Sequence, residues 1–140
     1  MGLDLGEKTL GIALSETGII AQKLKTLFFP VNQYKQLIKP LKEIIDYYKI
    51  KTIILGYPKH MNNDIGIKAQ ISIKFKEILE TNFPLVKVIL WDERLSTVQS
   101  IKILRQNNKK KKKIKTLKDV IAATIILQNY LDFKEINDVS

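Results

Sequence analysis

Short apolar runs broken by turn-forming residues open the chain. Leu3-Asp4-Leu5 and Leu10-Gly11-Ile12-Ala13-Leu14 flank Gly6-Glu7-Lys8-Thr9, the pattern of two strands joined in a hairpin. A second turn around Glu16-Thr17-Gly18 leads into Ile19 to Phe29, which predicts a third strand, ended by Pro30, and completes an antiparallel meander. From Tyr34 to Tyr48 the residues Leu37, Ile38, Leu41, Ile44, Ile45 and Tyr48 recur at helical spacing. Pro40 interrupts them, so the main helix is expected to start just after it. Lys51 to Leu55 predicts a strand ending in Gly56-Tyr57-Pro58, the polar stretch through Asn62-Asn63-Asp64 a loop, and Ile67 to Glu80 a second helix. Val86 to Trp91 predicts a strand that delivers Asp92-Glu93-Arg94 at its C-terminal end. Ser96 and Gln99 form a capping-box pattern that opens a helix carrying Val98, Ile101, Ile103 and Leu104. Asn107-Asn108 and Lys109 to Lys113 are expected to form a mobile loop, and Leu117 to Leu131 a strongly apolar last helix. Three antiparallel strands followed by alternating helices and strands give an α/β fold, a mixed five-stranded sheet flanked by helices.

Composition narrows the class. The 140 residues fit one domain, 1–140, and suffice to bury a core without covalent staples. The absence of cysteine excludes a disulfide framework and a thiolate metal site, and fits a reducing cytoplasm. Met1-Gly2-Leu3-Asp4 lacks the basic and then apolar sequence of an export signal, and no apolar run reaches bilayer length. The chain is expected to be neither exported nor embedded in a membrane. A formal net charge of +10 points to a polyanionic partner, nucleic acid first. Nearly all the basic residues are lysine, and isoleucine and asparagine are also abundant, as in A- and T-rich genes. Coding bias therefore accounts for part of the excess, but it does not weaken the attraction of the finished surface to phosphates.

Three acids stand out against this pattern. Asp4 interrupts an apolar strand, where a carboxylate is costly to desolvate unless a cation or hydrogen bonds offset it; a water-facing aspartate on an edge strand is the simpler alternative. Glu93 follows a hydrophobic strand, at the end where open α/β sheets place their ligand crevice, and alternation from Ile89 and Trp91 puts it on their face rather than Asp92. Its alternative is an ion pair with Arg94. Asp119 shares a helical stripe with Ala122, Ala123, Ile126 and Tyr130, small and apolar residues that let a helix approach a sheet. Alternatively, Thr116 caps that helix and Asp119 serves its dipole in the first turn. Carboxylates from two strands and a helix could converge on hard divalent cations, Mg²⁺ or Mn²⁺, which favour carboxylate, water and phosphate oxygens. Two such ions suit phosphodiester cleavage. His60 is the only histidine, in a polar loop, and there is no HExxH pattern or Walker-type loop.

Four motifs in order then acquire a specific meaning. The segment from Gly2 to Ser15, reading GLDLGEKTLGIALS, resembles the opening motif of the YqgF family, whose members are described as Holliday junction resolvases and as pre-16S rRNA nucleases. Leu55-Gly56-Tyr57-Pro58, Asp92-Glu93-Arg94-Leu95-Ser96-Thr97, and Asp119-Val120-Ile121-Ala122-Ala123 running into Ile126-Leu127-Gln128 resemble its later motifs. The resemblance implies a ribonuclease H-like fold, with the acidic metal-binding positions on Asp4, Glu93 and Asp119. It also implies that Lys8 and Arg94 approach phosphates and that Gly56 lets the backbone turn close to the site. Glu16 and Tyr57 depart from the family's usual aspartate and leucine, and neither touches the proposed ligands. Lys109, Lys110, Lys111, Lys112 and Lys113 are a further candidate surface for substrate.

The expected activity is metal-dependent hydrolysis of phosphodiester bonds in 5′-end maturation of 16S ribosomal RNA, with precursor RNA and ribosomal particles as partners. Resolution of branched DNA is the alternative; it requires two symmetric cuts and hence a dimer, whereas the sequence shows no obvious dimer face and is compatible with a monomer or a weak homodimer. Asp4-Leu5-Gly6 with Lys8-Thr9 also resembles the phosphate hairpin of actin-like ATPases and sugar kinases, which need two such domains. A non-catalytic RNA-binding factor, with structural acids and working lysines, is the remaining class.

Overall fold

A computed structural model describes residues 1–58, 63–92 and 111–138, and for 63–65, 111–119 and 136–138 it describes the backbone alone. Strands β1 (Gly2–Leu5), β2 (Thr9–Leu14) and β3 (Gln22–Phe28) form the meander, with Leu3 opposite Ile12 and Asp4 opposite Gly11. Helix α1 (Ile38–Tyr48) leads to β4 (Thr52–Tyr57), and α2 (Asn63–Asn82) leads to β5 (Lys87–Asp92). Helix α3 (Lys111–Asp138) is the last element. The sheet order is β3-β2-β1-β4-β5, with β1, β4 and β5 mutually parallel. The expected mixed five-stranded sheet is therefore present.

The period of two along each strand sorts side chains onto two faces. Leu3, Leu10, Ile12, Ile53, Leu55 and Val88 are buried with residues of α1 and α2, among them Leu41, Ile45, Phe75 and Leu79. On the other face Ala13 and Ile54 are buried against Ala123, Ile126 and Leu127 of α3, with Ile89, Trp91 and Tyr130 packed around them. The sheet is thus covered on both sides, which explains the near-continuous apolar runs in β2 and β4.

Several expected boundaries move for identifiable reasons. Strand β3 starts at Gln22, not Ile19. The Thr17 hydroxyl accepts from the N–H groups of Ile19 and Ile20, and the Gln128 side chain accepts from Ala21 N–H at 2.8 Å and donates to Ile19 C=O at 2.8 Å. Those groups are satisfied without a strand partner. Helix α1 begins before Pro40, preceded by a 3₁₀ turn over Tyr34–Leu37, because proline in a first turn removes an N–H that has no intrahelical acceptor. Asn63 and Asp64 belong to α2 rather than to a loop. An acidic residue in a first turn complements the helix dipole. Helix α3 extends beyond both expected ends, and Lys111 to Lys113 form its first turn instead of a loop. Lysine loses little rotamer freedom in a helix. The expected helix after Ser96 lies outside the described residues.

At the start of β1 the Met1 ammonium donates to Thr52 C=O at 3.0 Å, and burial lowers its pKa to about 6. Among the described residues no helix is long and apolar enough to cross a membrane.

Candidate active site

Asp4 stands in β1 between Leu3 and Leu5, both of which pack into the α1/α2 core, so strand alternation turns Asp4 to the α3 face together with Gly2. It is half-buried there. Its lateral neighbours on that face are Gly11 of β2 and, beyond it, Thr26 of β3. Gly11 is itself buried and adds no side chain beside the carboxylate. The β1–β2 turn is closed by Gly6 N–H donating to Thr9 C=O at 2.7 Å. It places the exposed Lys8 at the same end of the hairpin as Asp4.

Gly2 sets the distance between this strand and α3. A Cβ at position 2 would lie 2.8 Å from the Ala123 carbonyl oxygen and 2.8 Å from Leu127 Cβ, so only glycine admits the helix at this separation. Further along α3, Gln128 bonds Ile19 and Ala21 at the β2–β3 turn, the end of the meander opposite Asp4. Asp119 is one turn before Ala123. It lies eight residues after the helix begins at Lys111, and the first turn contains no acidic residue. The backbone does not match the positions of either local alternative: Thr116 lies within the helix rather than at its start, and Asp119 lies beyond the first turn, where the dipole acts.

Glu93 and Arg94 follow Asp92, the last residue of β5, and lie outside the described residues, as do Lys109 and Lys110. The alternation that selected Glu93 over Asp92 does hold as far as Trp91: Ile89 and Trp91 pack on the α3 face, Val88 and Leu90 on the other. Trp91 meets Tyr130 and Phe133 of α3 edge-on, at 5.5 and 5.4 Å between ring centroids, which ties the end of β5 to the same helix. Gly56, opposite Trp91 in β4, is buried within the strand. The structure thus places Asp4 on the strand face that the last helix covers at Gly2 and Lys8 in the turn that follows; among the described side chains no three metal-ligating groups cluster, and Glu93 and the Asp119 carboxylate are outside that set.

The positioning roles of Gly2 and Gln128 escape a reading of the sequence alone. Gly2 had a signal in being two residues from Asp4, on the same face of the same strand.

The sequence matches the family model described as RuvX, Holliday junction resolvase, over residues 1–133. A protein of Onion yellows phytoplasma named "Putative pre-16S rRNA nuclease" is 73% identical, covering 95% of this chain and 88% of its own length. One of the same name from a Geobacillus species is 46% identical, covering 96% and 98%. Among solved structures, Thermus thermophilus RuvC in complex with a Holliday junction substrate superposes with a TM-score of 0.58 at 12% identity, covering 96% of this chain and 93% of that one. This likeness shows a shared ribonuclease H-like fold.

Proposed function

This chain belongs to the RuvX family, and from that premise we propose that it is a nuclease of pre-16S ribosomal RNA maturation whose metal ions are held by Asp4, Glu93 and Asp119. The observation that carries the reading is Asp4 itself, a half-buried carboxylate on the face of β1 against which α3 packs at Gly2. One turn of helix and two residues of strand each span about 6 Å. The turn that carries Asp119 therefore has the length needed to lie above Asp4, since α3 proceeds from Gly2 towards the far end of the meander. Continued alternation beyond Trp91 would bring Glu93 to the same face.

An all-oxygen donor set of this kind fits Mg²⁺ or Mn²⁺. When bound, such ions activate water and stabilise the leaving oxygen of a phosphodiester. The residues of the chain would supply the rest: Asp4, Glu93 and Asp119 would hold the ions, while Lys8, Arg94 and Lys109 to Lys113 would hold backbone phosphates. We place this activity in the cytoplasm, in a single domain spanning 1–140 and working on ribosomal precursor particles.

Ribosomal RNA is preferred over branched DNA because relatives with high identity over nearly the whole chain carry that name, whereas the likeness to RuvC concerns fold. The test is incubation of the purified chain with labelled 16S precursor RNA and with a four-way DNA junction. Metal-dependent cleavage of the RNA, abolished by a chelator, is expected. Cleavage of the junction alone, in symmetric pairs, would favour the resolvase, and binding without cleavage would favour the RNA-binding factor.

A further inference from the structure

Phe28 is the last residue of β3, an edge strand, and 67% of its surface is exposed. Its neighbours Leu27 and Phe29 turn into the α1/α2 core, so Phe28 turns to the opposite face, the one that carries Asp4. Register agrees: Phe28 lies opposite Thr9, one pair along from Leu10 and Leu27, and Asp4, Gly11 and Thr26 form the adjoining row on that face. The N–H of Phe29 donates to Lys8 C=O at 2.9 Å, which holds the strand end beside the lysine of the hairpin turn. Among the described residues no other ring pairs with Phe28, whereas exposed Tyr47 pairs with Tyr48 and exposed Phe133 with Trp91.

A lone exposed phenylalanine needs no explanation on most surfaces. Here it stands, opposite Thr9, in the row next to the one formed by the half-buried Asp4 with Gly11 and Thr26, beside the turn that carries Lys8. We infer that Phe28 is a stacking platform for an unpaired nucleobase of the nucleic-acid substrate, next to the phosphate brought to Asp4. The inference rests on the nuclease reading for its choice of partner. An aromatic face accepts any base, and lysines beside it accept the adjoining phosphates, a combination suited to single-stranded segments. Fully paired nucleic acid hides its base faces and gains nothing from Phe28.

The test is equilibrium binding of the full chain to short single-stranded RNA and DNA oligonucleotides and to the matching duplexes, with a chelator present so that nothing is cut. Phe28→Ala and Phe28→Leu should each weaken binding to both single strands by roughly 5- to 150-fold, the scale of one lost stack. Phe28→Trp should retain or exceed the original affinity, and duplex binding and Tm should not change. Original affinity in Phe28→Leu, or equal losses on single strands and duplexes, would overturn the assignment. A loss confined to RNA would put the contact on the ribose hydroxyl and overturn it too. Because the readout is binding without cleavage, failure of the nuclease reading would show separately, as an original chain that binds single strands through Phe28 but cuts nothing.

Discussion

Replacing Gly2 by alanine puts a methyl group between β1 and α3. The new Cβ would sit 2.8 Å from the Ala123 carbonyl oxygen and from Leu127 Cβ, where ordinary contact begins near 3.4 Å, so about 0.6 Å of separation must be found. The oxygen belongs to the helix backbone and cannot rotate aside, which forces helix and strand apart as units. Overpacking of this kind costs about 1–3 kcal/mol, and each kcal/mol lowers Tm by roughly 4 °C in a chain of this size. The same displacement separates Asp4 from the helix that carries Asp119. On a scale of about 100-fold lost per Å of misplacement, cleavage should fall roughly tenfold at temperatures where the variant is fully folded. Gly18→Ala is the control: Gly18 has φ +78° with open space around it, at the far end of the meander, so alanine there costs about 1 kcal/mol of strain and spares the site. Thermal unfolding and metal-dependent cleavage are measured on both variants. Original stability and rate in Gly2→Ala, or an equal loss of activity in Gly18→Ala, would refute the proposed link between helix approach and chemistry.

Three further outcomes follow from the fold. Changing Lys109 to Lys113 to glutamine should flatten the salt dependence of binding, with a log-log slope change of about 0.7 to 0.9 per lost phosphate contact; an unchanged slope would remove these lysines from the interface. Thr116→Ala should leave Tm unchanged or slightly raised, since alanine is the better helix former inside α3, whereas loss of a true cap would cost about 0.5–2 kcal/mol. Burial lowers the Met1 ammonium from 8.0 to about 6, so between those values the unfolded chain binds more protons and stability rises with pH. Urea midpoints should therefore drop as pH falls from 8 to 6, by a free energy of about 3 kcal/mol at most, and N-terminal acetylation should abolish that component; an identical pH profile in the acetylated chain would contradict it.

The hairpin and the two faces of the sheet were legible because period-two alternation survives in β1 and β5: Leu3 and Leu5 flank Asp4, and Ile89 and Trp91 share a side. The same alternation oriented Asp4 and selected Glu93. Helix starts were less legible. Lys111 to Thr116 show no apolar period, yet lysine is a good helix former, so α3 begins six residues before its stripe does. Ile19 to Ala21 look like strand, but the Thr17 hydroxyl and a distant glutamine side chain share their backbone groups, and no local pattern records the glutamine. The role of Gly2 depends on which helix residues lie above it, and that is a tertiary fact.

Metal-dependent cleavage by Asp119→Asn, measured beside its thermal unfolding, tests the three-carboxylate site most directly. Asp119 lies well inside α3, so neutralising it removes no favourable dipole contact at the N-terminus. The account predicts a folded protein, with stability within about 0.5 kcal/mol of the original, that has lost most of its cleavage of precursor RNA at every Mg²⁺ or Mn²⁺ concentration. Cleavage at the original rate by a folded Asp119→Asn protein would leave Asp4 and Glu93 without their third partner and contradict the account.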